Sequence, residues 1–116
     1  MTGFDIYESA ITKLGYSSLN GSLENDTVFK SIAVDAINEI GADLCNLPPI
    51  KKLEDTVSID KSVFSPLSYG VAMVISFISG DREKHTVMAA IFNAKRSIYL
   101  SGKGYVKDTA PKIYGG

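Results

Sequence analysis

Apolar residues recur along this chain in four blocks, and each block has helical spacing. Phe4, Tyr7, Ile11 and Leu14 lie three or four residues apart, on one stripe of a short helix. Thr2 suits its start, and Gly15 suits its end because glycine adopts positive φ without strain. Residues 16–25 read as a loop, with Asn20-Gly21 as its tight turn. The second block predicts a helix capped by Asn25 or Asp26. Phe29, Ile32, Ala33, Ala36, Ile37, Ile40 and Leu44 share its apolar face, and Asp35, Glu39 and Asp43 form an acidic stripe beside it. Pro48 and Pro49 stop this helix, since proline lacks an amide proton and disfavours helix in the residue before it. Residues 50–61 have no helical period, and alternation at Val57 and Ile59 allows a short extended piece at best.

The third helix is expected to start between Asp60 and Ser65, with Pro66 in its first turn and Gly80 at its end. Leu67, Val71, Ala72, Met73, Val74, Ile75, Phe77 and Ile78 cover nearly its whole circumference. A helix apolar on all sides is normally surrounded by protein. Burying its large side chains is worth on the order of 1.5–3 kcal/mol each before entropy is subtracted. It is therefore expected to be the centre of the core. Asp81 then caps a fourth helix, with Glu83 near its positive end, and Val87, Met88, Ile91, Phe92, Ile98 and Tyr99 as its apolar face. Lys95 and Arg96 are assigned to its last turns, where cations suit the helix dipole, and Gly102 closes it. The expected fold is an all-α bundle of about four helices over residues 1–102. Residues 103–116 form an extended carboxy-terminal arm, either a flexible tail or a segment ordered by a partner. No internal repeat is present.

At 116 residues, with 45% hydrophobic side chains, the chain suits one domain and is too apolar for intrinsic disorder. The start, MTGFDIYES, lacks the basic and apolar regions of a secretory signal. The apolar stretch at 67–78 is interrupted by Ser68, Gly70 and Ser76 and is shorter than a membrane span. An intracellular, membrane-free domain is the expectation. The net charge of −1 excludes a strongly basic nucleic-acid binder, but the charge is unevenly spread. Residues 1–81 carry 5 basic and 11 acidic side chains, and residues 82–116 carry 7 basic and 2 acidic. An acidic body with a basic end suits head-to-tail contact between copies or docking on an acidic partner, with ordinary surface charge as the alternative.

Candidate chemistry is sparse. His85, the only imidazole, has no matching nucleophile or carboxylate partner and reads as a partly exposed residue at a helix start. Cys45, the only thiol, cannot form an internal disulfide and reads as a small core residue. Asp35, Glu39 and Asp43 read first as a solvated helix face; repeated in many copies, such a stripe could also line a channel and repel DNA phosphates. Ser101-Gly102-Lys103-Gly104 lacks the frame of a phosphate-binding loop and follows a helix, so it is rejected. Lys103, Lys107 and Lys112, interleaved with Tyr105 and Tyr114, suit single-stranded nucleic acid or a protein-docking arm equally. No catalytic set, metal site or cofactor site emerges, and an enzyme is not expected.

The sequence Leu47-Pro48-Pro49, then Pro66-Leu67-Ser68-Tyr69-Gly70-Val71-Ala72-Met73, Gly80-Asp81 and Asn93-Ala94-Lys95-Arg96 resembles the head-completion, adaptor or head–tail connector proteins of tailed bacteriophages. The likeness covers roughly residues 26–100 and carries no chemical signature. It implies a virion protein made in the bacterial host cytoplasm and placed in the neck, without cofactor or catalysis. Such proteins form a homo-oligomeric ring, commonly of twelve copies, beneath the portal after DNA packaging. The ring extends the channel for double-stranded DNA, without sequence specificity, and meets the next neck or tail-completion protein. It also implies a docking arm, here Tyr105, Val106, Lys107, Lys112, Ile113 and Tyr114, and a channel-facing stripe of Asp35, Glu39 and Asp43. Gly70, Ala72, Ala89, Ala90 and Ala94 would allow close helix approach. The competing expectation, from the basic carboxy-terminal third, is a small helical nucleic-acid-binding regulatory protein.

Overall fold

Glycine punctuates the helices where the pattern places it. Gly15 and Gly80 adopt the left-handed conformation, with φ of 71° and 80°. The next amide in each case reaches back five residues, Tyr16 to the Ile11 carbonyl at 3.3 Å and Asp81 to the Ser76 carbonyl at 3.0 Å. Both ends are Schellman closures, which satisfy carbonyls that the helix leaves without donors. The computed structural model describes residues 1–16 and 26–102, and over them the chain is an all-α bundle of four helices. They are α1 (Gly3–Leu14), α2 (Asp26–Cys45), α3 (Lys61–Ser79) and α4 (Arg82–Gly102). Among the described residues there is no strand, only an isolated bridge between Thr2 and Thr56. The expected Asn20-Gly21 turn and the arm at 103–116 lie outside the described residues.

The connector between α2 and α3 is part of the scaffold, although it has no helical period. Asn38 accepts from the Ile50 amide at 2.8 Å and donates to the Ile50 carbonyl at 2.9 Å. Carbonyls of Asp55 and Leu53 accept from the Gly3 and Phe4 amides, which open α1 and would otherwise lack acceptors. Ile50, Leu53 and Val57 are buried with the helices. A single stripe also understates α1, because Ile6 and Ala10 are fully buried beside Tyr7, Ile11 and Leu14. Its far end is tied to the α3–α4 turn. The Tyr16 hydroxyl donates to Asp81 at 3.0 Å, and the Lys84 ammonium donates to the Leu14 carbonyl.

The third helix is central but not enclosed. Leu67, Val71, Ala72 and Ile75 are fully buried, and α1, α2 and α4 all pack on α3. Gly70 makes the closest approach possible: a Cβ there would sit 2.8 Å from the Ile40 side chain of α2 and 2.9 Å from the Phe92 ring of α4. The expectation of burial on every side fails at the other end. Met73 and Val74 are half-buried, while Phe77 and Ile78 are 68% and 56% exposed. Three neighbours cannot cover a whole cylinder, and at the last turn of α3 they bury Ser76 but leave Phe77 and Ile78 outward. By length and composition this helix could also cross a membrane, and half of its apolar window is instead buried inside the bundle, as in a core helix. It starts at Lys61, so Pro66 falls in the second turn rather than the first, and the Ser62 carbonyl has no amide donor four residues on.

The fourth helix departs furthest from expectation. Asp81 caps it, accepting from the Lys84 amide at 3.3 Å. Of its expected apolar face, Met88, Phe92 and Tyr99 are buried, but Val87 is 52% and Ile98 72% exposed. The reason is that α4 lies along α3 by one flank only. Ala90 and Ala94 are exposed as well, so they mediate no close approach within the subunit. Lys95 and Arg96 precede the last turn, where the dipole acts, and are held instead by side chains of other helices.

Candidate functional site

Two charged surfaces flank α4, and consecutive residues, about 100° apart around the helix, reach them. Arg96 turns toward α2, where its Nε donates to Asp43 at 3.1 Å. Lys95 turns toward Tyr69 of α3, its ammonium 5.5 Å from the centre of the ring. Lys13 of α1 approaches the same ring, 4.8 Å from its centre, and donates to the Ser9 hydroxyl at 2.9 Å. The ring attracts each cation through its quadrupole, yet the two cations repel each other. Burial, and then the neighbouring Lys95 charge, push the Lys13 ammonium below its usual pKa. Among the described residues neither Lys13 nor Lys95 has a carboxylate within 4 Å. Beside this cluster, between the start of α3 and the end of α4, lies a groove of about 410 Å³, lined by Lys61, Ser62, Ser65, Lys95, Ile98 and Tyr99.

The acidic stripe is where the sequence puts it. Asp35, Glu39 and Asp43 are all exposed on α2. Asp43 is engaged by Arg96, whereas Asp35 and Glu39 form no ion pair among the described residues. They continue an exposed row along α2 that includes Val28, Ser31 and Ala42. The arm residues Tyr105, Val106, Lys107, Lys112, Ile113 and Tyr114 lie outside the described residues, as do Lys103 and Gly104. Ser101 and Gly102 are the last residues of α4.

The remaining candidates have structural surroundings. His85 is half-buried, its Nδ1 lies 3.1 Å from the Met73 carbonyl, and its ring is 5.1 Å from that of Phe77. The Cys45 thiol donates to the Gly41 carbonyl at 3.4 Å within α2. Among the described residues no three His, Cys, Asp or Glu side chains come together as metal ligands would. The Lys13–Tyr69–Lys95 cluster was invisible in the sequence because its members are 56 and 26 residues apart and belong to three helices. No local spacing encodes such a meeting. Compared with known proteins, the chain matches no family model, no curated protein and no solved structure.

Proposed function

We propose that this chain is a structural subunit that works in an assembly: a head-completion or adaptor protein of a tailed-bacteriophage neck, ringed beneath the portal. The observation that carries the reading is the open flank of α4. Val87 and Ile98 are apolar, lie on a helix that packs by one flank only and remain largely exposed, which suits a surface that a neighbouring molecule covers. Phe77 and Ile78 extend the exposed apolar surface to the end of α3. The exposed carboxylates Asp35 and Glu39 add an acidic row that a neighbouring copy can meet. In this reading the basic arm at 103–116 grips the portal or the adjacent subunit.

Electron microscopy of the full chain mixed with its portal tests the proposal. A ring under the portal is expected, and a portal that stays bare contradicts it. Removing residues 103–116 is expected to leave the melting temperature of the bundle nearly unchanged while abolishing incorporation into particles. Unfolding of the truncated chain would make the arm part of the core. The second reading, a nucleic-acid-binding protein, is favoured by the Lys13–Lys95 cluster; it predicts duplex binding that weakens steeply as salt is raised.

A further inference from the structure

The paired ammoniums on Tyr69 form a positive site without its counter-charge. Two lysines from different helices converge on one ring, so their nitrogens lie within about 10 Å of each other. Converging like charges is unfavourable unless an anion completes the arrangement, and the partial burial of Lys13 raises the cost. Lys61 enlarges the positive surface along the adjacent groove. The same molecule carries the complementary surface. Asp35 and Glu39 are one helical turn apart, about 6 Å along the axis, and project from α2 without cationic partners among the described residues. Within one subunit no ion pair joins the two surfaces among the described residues. On the α2 side Arg96 is occupied with Asp43, while Lys95 lies over Tyr69.

We propose that the Lys13–Tyr69–Lys95 flank of one copy receives the Asp35–Glu39 row of α2 from a second copy, head to tail. The inference rests on the reading that the chain assembles with itself, and it names the surfaces. Exposed ion pairs alone contribute little, so apolar contact must accompany them. Ile98 adjoins Lys95 on the receiving flank and is 72% exposed, and Val28, 56% exposed, lies on the same α2 row as the carboxylates. Each copy offers one surface of each kind, so the contact repeats. It closes into a ring if the rotation between copies allows and otherwise grows as a filament.

Charge exchange between two variants tests this pairing, read by sedimentation velocity of the full chain over a concentration series. The wild type is expected to associate reversibly at low salt and to dissociate as salt rises. Asp35→Lys with Glu39→Lys, at exposed positions, is expected to weaken association at least tenfold, and so is Lys13→Glu with Lys95→Glu. An equimolar mixture of the two variants should recover association, because each then offers what the other lost. A wild type that stays monomeric at low salt overturns the pairing, and so does an α2 double variant that associates as the wild type does. If the lysine variant fails to fold by circular dichroism, the α2 variant alone decides. Duplex DNA binding that needs Lys13 and Lys95, with no self-association, also overturns the pairing and assigns the site to nucleic acid. Failure here is distinct from failure of the neck proposal, since a chain that binds its portal but associates through other residues loses only this pairing.

Discussion

Helices α3 and α4 are of similar length and both rich in apolar residues, yet their surroundings differ. α3 is packed by three helices, and its fully buried side chains Leu67, Val71, Ala72 and Ile75 anchor the core. α4 rests on α3 by one flank and buries only Met88, Phe92 and Tyr99. Two apolar rows run along α4, each with 4-3-4 spacing. Met88, Phe92, Lys95 and Tyr99 face inward or along the seam, and Val87, Ile91, Ala94 and Ile98 lie about 100° further round. Periodicity identifies an apolar face, but the number of neighbours available decides how much of it is buried. The surplus face on α4 is the surface on which the proposed assembly rests.

The contrast predicts unequal penalties for similar substitutions. Ile75→Asp is expected to unfold the domain, because an unpaired charge in a fully buried site costs more than about 4 kcal/mol. Val74→Asp, one residue away but half-buried, should cost only about 1–2 kcal/mol. Equal loss of helicity in the two variants, followed by circular dichroism, would break the distinction between the faces of α3. On α4, Phe92→Ala is expected to destabilise by about 3–5 kcal/mol and Ile98→Ala by less than about 0.5 kcal/mol in urea titrations. Comparable losses would mean that the outer row is packed.

Gly70→Ala probes the point where α2, α3 and α4 converge. Alanine improves helix propensity by about 1 kcal/mol, but its methyl group collides with Ile40 and Phe92. A net loss of about 1–2 kcal/mol is expected, since overpacking a tight core commonly costs more than the propensity gain. A more stable variant would show that these helices can move apart freely. A smaller effect than at Gly70 is expected at the α1–α2 contact, where the Tyr7 hydroxyl donates to Asp26 at 2.5 Å. That bond, and then Lys30, hold the Asp26 carboxyl below its ordinary range. A depressed carboxyl stabilises the fold at pH values above about 4, the ordinary value, and that contribution disappears as pH falls through the folded value. Burial, and then Asp26, raise the Tyr7 hydroxyl, so its contribution is present at neutral pH and is lost as pH rises beyond about 10. Asp26→Ala should cost about 0.5–1 kcal/mol at pH 7 and reduce the loss of stability on acidification, measured as urea midpoints against pH. An unchanged acid profile would remove Asp26 from the account.

Helix positions and ends were legible because they depend on local chemistry: Gly15 and Gly80 in left-handed turns, Asp81 as a cap, the prolines after α2. The 46–60 connector was not, since its order comes from Asn38 holding Ile50 and from carbonyls that cap α1 across the chain. The acidic row was legible because one helix carries it. The Lys13–Tyr69–Lys95 cluster depends on how three helices meet, and the pairing of Arg96 with Asp43 depends on the same geometry. The exposed ends of α3 and α4 were misread for a related reason: hydropathy records what a residue prefers, not whether the fold has a neighbour to supply.

The central proposal is that this chain joins other proteins at the phage neck. Removing its gene from the phage and examining the resulting particles tests that most directly. DNA-filled heads that lose their genome and carry no tails are the expected product. Infectious, tailed particles that keep their DNA would contradict the account.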